Sequence, residues 1–481
     1  MILIHVVTGM KNRIALNKNR SFFTILGLLM FFQLSAQELV TYDAPGGYKY
    51  SAHNDDFTVL VRTPKGEWKD LFEYNVEVDL DTKSIASMAY FDFSGKVEVM
   101  IKKNNGLVNK VNIRPAILGI QPILKGNTIT FSLDKPSKLS IEIDGDRLHN
   151  LHLFASTLEK NKPDPKDPNV IYFGPGVHQP NDQPGDVYHI PSGKTVYIDG
   201  GAIVKAKFLV ANASNVTLRG RGIIMQPERG VEIRNSKNVT IDGLTFINPS
   251  HYTIYGGQSN DLIIRNIKSF SSKGWSDGID LMSCSNVEID DVFMRNSDDC
   301  IAIYGHRWDF YGDAKNYLIH NAVLWADIAH PTNIGLHGDA EGKGEIIEDI
   351  TFSNIDILEH DEDDRNYQGC LAISASDNNL VKNIRYENIR IDDIQEGQLF
   401  NFRVYFNQKY SNAPGKGIQN LILSNISYTG RPVNPSLIEG FSKDRTIRGI
   451  TIDNVKINGG LIQNDKTNYL VKDFVQEVKF K

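Results

Sequence analysis

One phrase, repeated at intervals, constrains this chain more than any other feature. It reads Asn215-Val-Thr-Leu, Asn238-Val-Thr-Ile, Asp261-Leu-Ile-Ile, Asn286-Val-Glu-Ile, Asn316-Tyr-Leu-Ile, Asp349-Ile-Thr-Phe, Asn383-Ile-Arg-Tyr, Asn420-Leu-Ile-Leu and Gly449-Ile-Thr-Ile. Most copies run on into a second Asn-Ile or Asn-Val step. The spacing is about 23 to 37 residues, the range in which internal repeats mean stacked coils. A lone period-two strand of this kind cannot bury its apolar edge, whereas stacked copies bury it continuously. No helical pattern separates the strands, as a strand–helix barrel would require. Residues 172–481 are therefore expected to form a right-handed parallel β-helix. The Asn of each phrase is expected at an inward or corner position, with its amide bonding its counterpart in the next coil.

The preceding residues, 38–157, follow a different pattern. Alternating apolar runs at 57–61, 97–101, 128–133 and 139–143 are separated by turn residues at 63–66, 104–106 and 144–146. Period-two alternation at this spacing predicts an antiparallel β-sandwich serving as a structural or substrate-wall module. Residues 158–171, with Pro163, Pro165 and Pro168 among charges, form the linker. The whole is an all-β chain. At the front, residues 1–37 place Lys11, Arg13, Lys18 and Arg20 before the apolar run 22–32 and the small residues Ser35 and Ala36. That is a secretory signal peptide. About 440 of the 481 residues are thus expected to be exported, to the periplasm or beyond, with no membrane segment left after cleavage.

The net charge of -6 is mild and its signs are interspersed, which excludes the basic face that nucleic-acid binding needs. Cys284, Cys300 and Cys370 sit in apolar strand contexts and read as buried small hydrophobes. No metal-ligand spacing occurs, so neither a metal nor a cofactor is expected.

Departures from the repeat carry the functional signal. Ser276-Asp277-Gly278-Ile279-Asp280 and Asn296-Ser297-Asp298-Asp299-Cys300-Ile301 flank one strand, 286–289, and so fall on neighbouring coils about 4.8 Å apart. Adjacent strand residues point to opposite faces. Asp298 and Asp299 therefore meet one ligand only if the backbone turns at 295–297. With that turn, Asp277, Asp298 and Asp299 converge and raise one another's pKa, the setting for acid–base cleavage of a glycosidic bond. Insertions at 305–313 and 360–367 interrupt the repeat nearby, and insertions in a solenoid collect on its binding face. His306, Trp308, Arg365 and Tyr367 from these insertions, with His330 and His337, are the candidate glycan contacts.

Three blocks resemble a known family. Ser276 to Asp280, Asn296 to Ile303 and His330-Pro331-Thr332-Asn333-Ile334-Gly335 are similar to the N-T-D-G, D-D-C-I-A-I and G-H-G-x-x-I-G blocks of the polygalacturonases, glycoside hydrolase family 28. The glycines flanking the His are absent here. The sandwich in front, Tyr172-Phe173-Gly174-Pro175-Gly176-Val177-His178 and Asn150-Leu151-His152-Leu153-Phe154-Ala155 resemble the dextranase and isopullulanase family, glycoside hydrolase family 49, which shares the β-helix and the acid triad. The resemblance implies an inverting glycoside hydrolase. In it Asp298 protonates the departing oxygen, while Asp277 and Asp299 hold and deprotonate the attacking water. Coil spacing by itself lies nearer the retaining geometry, so inversion comes from the resemblance. His330 is the candidate for orienting a sugar hydroxyl. The polygalacturonase Arg-x-Lys block that holds a uronate has no counterpart. The acidic run 361–364, followed by Arg365, stands in its place and repels an anionic chain. The expected substrate is a neutral polysaccharide or oligosaccharide, an α-glucan such as dextran. The alternatives are a pectic glycan, a calcium-dependent β-helix lyase, or a noncatalytic glycan-binding solenoid.

Overall fold

The computed structural model describes residues 37–48, 50, 52–180, 187–463, 469–471 and 473–481. Apart from Gln37, the expected signal peptide lies outside the described residues. Gln37–Lys481 form one compact unit. No described helix is long and apolar enough to cross a membrane.

From Val170 onward the strands stack almost wholly in parallel, into one sheet of 20 strands and another of 11. A typical coil gives two strands to the larger sheet and one to the smaller, as Asn260–Arg265, Lys268–Phe270 and Ile279–Met282 do. The fold is a right-handed parallel β-helix. Its interior is filled by the second and fourth residues of each phrase. Val216, Val239, Leu262, Val287, Tyr317, Ile350, Ile384, Leu421 and Ile450 stand in register along one column and are buried. Burying such a side chain stabilises by about 1.5–3 kcal/mol, and only neighbouring coils make that burial possible.

The first residue of each phrase turns the corner. Asn215, Asn238, Asp261, Asn286, Asn316, Asp349, Asn383 and Asn420 all have φ between 54° and 59°, and Gly449 has 74°. Asn, Asp and Gly are the residues that tolerate this left-handed region, which is why they interchange here and nothing else appears. Their side chains stack outside the coil, not inside it. Asn238 donates to Asn215 at 2.7 Å, and Asn316 to Asn286 and Asn420 to Asn383 at 3.0 Å, all exposed.

Ahead of the coil, two sheets face one another. One contains Glu38–Thr41, Tyr74–Val78, Ser84–Ser94, Val111–Arg114, Ser137–Ile143 and Asp146–Thr157; the other contains Phe57–Arg62, Lys69–Asp70, Val97–Lys103, Ile123–Lys125 and Thr128–Leu133. Phe57, Val59, Phe91, Val99, Leu151 and Leu153 fill the space between them. The sandwich is not wholly antiparallel, because Ser84–Ser94 and Asp146–Thr157 pair in parallel. These strands are buried on both faces: their other side packs Met88, Tyr90 and Phe154 against Ile223, Phe270, Phe293 and Trp325 of the coil. Strands covered on both sides lose the alternation that marks a half-exposed strand.

Candidate active site

The carboxylates stand at the corner where the chain leaves the second strand of a coil and enters the third. Asp277 lies between Lys268–Phe270 and Ile279–Met282, Asp298 and Asp299 between Phe293–Ser297 and Ile301–Tyr304, and His330 between Val323–Ile328 and Thr332–Ile334. Ile279, Ile301 and Thr332 are in register, so these corners form one stack. The register slips between Asn296 and Ser297. That bulge supplies the turn that lets both Asp298 and Asp299 face the cleft. The buried Asn296 amide ties the Asp277 turn down, donating to the Ser269 and Ser271 hydroxyls at 3.1 and 2.7 Å. A Cβ on Gly278 would collide with the Cys300 carbonyl of the next coil, so glycine is required beside Asp277. Asp277, Asp298 and Asp299 each offer an oxygen within 4.8 Å of the others.

Their surroundings separate their proton affinities. Burial raises the Asp298 pKa, the Asp299 charge adds to it, and donation from the Trp275 and Asp299 amides only partly offsets them, leaving it at about 6. Burial also works against an ionised Asp299, but His330 and Asn333 outweigh it and bring that carboxyl below its ordinary value. Asp299 Oδ1 accepts from the His330 amide at 3.1 Å and from Nδ1 at 2.7 Å; Oδ2 accepts from Asn333 at 2.9 Å. The other His330 nitrogen faces the Tyr367 carbonyl. With both ring nitrogens directed at acceptors that carry no proton, His330 is the doubly protonated cation. Its pKa is raised accordingly, the Asp299 pairing exceeding the cost of burial.

Asp280, in the strand after Asp277, is fully buried. Neither of its oxygens nor Asp277 Oδ1 meets a hydrogen-bond donor. The two carboxyls lie within hydrogen-bonding reach of each other, and two acceptors bond only through a proton held between them. Burial and the neighbouring acids raise both pKa values well above the ordinary carboxylate range. The Arg307 guanidinium is the nearby cation that opposes the rise. The three converging oxygens also form a donor set that a hard cation uses. Such an ion would sit against the His330 imidazolium beside Asp299, which disfavours it.

The sandwich braces this corner from behind. Arg295, fully buried, donates to Asp327 at 3.0 Å and to Asn150 and His152 of the sandwich at 3.0 Å each. Leu80 donates its amide to the hydroxyl of Ser297, the residue before Asp298, at 3.0 Å.

Of the expected contacts, Tyr367 and His337 line the cleft, a cavity of about 120 Å³. His330 does not reach a sugar: it is wholly buried beneath Asp299 with both nitrogens occupied. His306 turns away, its ring 3.5 Å from Glu345, and lines neither the cleft nor the cavity next to it. Arg365 is exposed and stands outside the cleft. Trp308 borders the adjoining cavity instead. Of the acidic run 361–364, only Glu362 lines the cleft. Sequence reasoning missed Asp280, although it ends the Asp277 block, and Arg307, which sits between His306 and Trp308. It also missed Tyr252, Tyr304 and Tyr410, whose rings help form the aromatic wall, and the exposed Trp275 at the rim. Strand alternation carried a signal for Asp280, because the position after an inward Ile279 faces out.

A larger cavity, about 730 Å³, lies at the junction of sandwich and coil and includes none of these carboxylates.

Comparison with known proteins places this geometry. The solved structure of Dex49A from Penicillium minioluteum superposes with a TM-score of 0.64 at 14% identity, covering 92% of this chain and 96% of that one, a likeness of fold that includes the sandwich. A probable endopolygalacturonase D of Aspergillus flavus is 24% identical over 264 residues, 54% of this chain and 48% of the relative. An exopolygalacturonase of Arabidopsis thaliana, clone GBGE184, is 22% identical over 238 residues, 48% of this chain and 51% of the relative. The chain thus spans about half the length of these curated relatives. The family model for glycosyl hydrolases family 28 matches residues 196–476, more than half of the sequence and every residue of the carboxylate corner. The chain belongs to glycosyl hydrolases family 28.

Proposed function

We propose that this protein hydrolyses O-glycosidic bonds in a uronate-bearing polysaccharide or oligosaccharide, with inversion, after export from the cytoplasm. The observation that carries the reading is the split in proton affinity among carboxylates facing one point: Asp298 is raised to about 6 and Asp299 is lowered. Pairs of acids pushed apart in this way divide the acid and base roles. Asp298 gives its proton to the departing oxygen as the bond to the anomeric carbon breaks. Asp299, fixed as an anion by His330, offsets the positive charge that develops on the sugar ring. Water attacks the same carbon and gives a proton to Asp277, whose Oδ1 meets no protein donor. For Asp277 to accept it, the proton that the two buried carboxyls share must sit on Asp280 when water attacks.

Two observations support an acidic substrate over the neutral α-glucan. The acidic run that would repel a uronate stands mostly outside the cleft, and Arg307 stands within it. The curated relatives are named as polygalacturonases. The basic and apolar leader supports export. Inversion is supported by the family resemblance and not by the spacing of the carboxylates, whose nearest oxygens lie within 4.8 Å of one another.

The test is product analysis on a galacturonate polymer, its methyl ester and dextran, with the first-formed anomer followed by proton NMR. The expected outcome is cleavage of the acidic polymer to saturated ends of inverted configuration, slowed by about 10²–10⁴-fold in Asp298→Asn. An unsaturated end would mean a lyase, and retained configuration would remove inversion. Turnover unchanged in the variant would remove the acid assignment.

A further inference from the structure

Beside the carboxylate cleft, on the same outer face of the smaller sheet, lies a second cavity of about 360 Å³ lined by Lys207, Arg229, Glu232, Arg234, Tyr255 and Trp308, with Asp309. Its place along the coil is fixed by register. Glu232 pairs with Tyr255, and Tyr255 with Asp280, so the cavity lies one to two strand spacings from the acids, about 5–10 Å. That is the reach of the next sugar rings along a bound chain. The 305–313 insertion folds back to wall it. Phe310 lies over Gly257, where a Cβ would strike the ring, and Asp309 pairs with Arg234. Trp308 is carried to 6.2 Å from Tyr255 and 5.7 Å from Tyr252, and remains 49% exposed.

The charges in this cavity are not evenly matched. Glu232 is taken by Lys207 at 2.6 Å, by the Tyr255 hydroxyl at 2.6 Å and by Arg234 at 3.0 Å. Arg234 also holds Asp309. Arg229 is left: among the described residues no carboxylate lies within ion-pair distance of it, and its Nε is buried without a hydrogen-bond partner. Its guanidinium stands 5.2 Å from the Tyr255 ring and 5.5 Å from the Trp308 ring, held by the aromatic faces. A guanidinium that bonds the Tyr255 side chain but faces no carboxylate keeps donors for a planar oxyanion, and an exposed indole beside it suits the apolar face of a sugar.

We propose that Arg229, with Trp308 as platform, is a distal subsite that binds the carboxylate of a uronate ring neighbouring the one being cleaved. The proposal rests on the acidic-glycan reading above and names the residue that reads the charge away from the scissile bond. It calls for chains long enough to pass from the acids to the second cavity.

The experiment uses the full chain carrying Asp298→Asn, so that binding is read without turnover, and compares it with Asp298→Asn combined with Arg229→Met or Arg229→Lys. Galacturonate oligomers of two to six units and their methyl esters are titrated by calorimetry. Loss of a charge-assisted contact predicts affinity for the longer acidic oligomers weakened by about tenfold or more in Arg229→Met. Affinity for the dimer and for the esters is expected to change less than twofold. Arg229→Lys recovers part of the loss, because a point charge remains without the fork. An equal loss on acid and ester, or no loss on either, overturns the subsite while the acidic-glycan reading stands. If the acidic oligomers neither bind Asp298→Asn nor are cleaved by the wild type, both readings fall.

Discussion

Two corners of the same coil carry stacks of like side chains, and they rest on opposite physics. At the phrase corner, Asn215, Asn238, Asn286, Asn316, Asn383 and Asn420 stand in the open with Asp261 and Asp349 between them, and the amides donate to the Asn or Asp of the preceding coil. An amide is donor and acceptor at once, so each added amide extends the stack at no electrostatic cost, and the single acids within it accept from the next amide. At the other corner, Asp277, Asp298 and Asp299 are acceptors only, turned toward one point with little access to water. Each added acid there raises its neighbours. The fold holds the cluster together with a buried imidazolium, with Arg307, and with protons retained on the acids. Of two polar stacks in one solenoid, the one that satisfies itself is scaffold. The one that needs outside charges and protons is the candidate site.

Replacing members of either stack sharpens that contrast. The largest effect is expected from Asp298→Asn, which removes the transferable proton and lowers kcat/KM by about 10²–10⁴-fold. Its thermal midpoint should hold or rise, because repulsion is relieved. In the wild type, activity should fall as pH rises through about 6, where Asp298 loses its proton. Stability moves with the same group. Its folded pKa lies above the unfolded value of 3.8, so the stability it contributes is full below that value and is lost as pH rises through about 6. Asp299 behaves oppositely: its pKa is depressed, so its contribution is present above the unfolded value and lost as pH falls through the lower folded one. Denaturant melts across this range separate the two.

His330→Ala comes next. It leaves Asp299 buried without its cation, at about 3–5 kcal/mol of stability, and raises the pH at which the acidic limb of activity begins. A melt and a pH–rate profile read both. Asp280→Asn is milder, since a neutral amide stands in for a protonated acid. Stability should be kept and kcat/KM should stay within about tenfold of wild type, whereas loss comparable to Asp298→Asn would mean that Asp280 itself must ionise. The smallest effect belongs to the Asn stack. Asn316→Ala places a Cβ-bearing residue without a polar side chain at φ 59°, costing about 1–2 kcal/mol with turnover unchanged.

The sequence was informative where physics is local. The repeat revealed the coil because period-two burial and a left-handed corner leave Asn, Asp or Gly at fixed places. The paired Asp turns showed through because they break that pattern. Other features depended on tertiary closure. His330 looked like a sugar contact until its two nitrogens were found closed off by Asp299 and Tyr367. Arg307 and Trp308 are adjacent in an insertion, yet Arg307 lines the acid cleft and Trp308 the neighbouring cavity, a division set by how 305–313 folds back over earlier coils. Asp280 was overlooked because a carboxylate inside a strand reads as an ordinary outward position until its lack of donors is known. The strands Ser84–Ser94 and Asp146–Thr157 hid for a related reason: burial on both faces erased their alternation.

The most direct measurement compares how much Asp298→Asn loses on two substrates that differ only in leaving group, a natural glycosidic linkage and an aryl glycoside whose phenolate departs without help. If Asp298 supplies the proton, the loss is about 10²–10⁴-fold on the first and small on the second. Equal losses on both would contradict the account, because a residue that only shapes the pocket does not sense the basicity of what leaves.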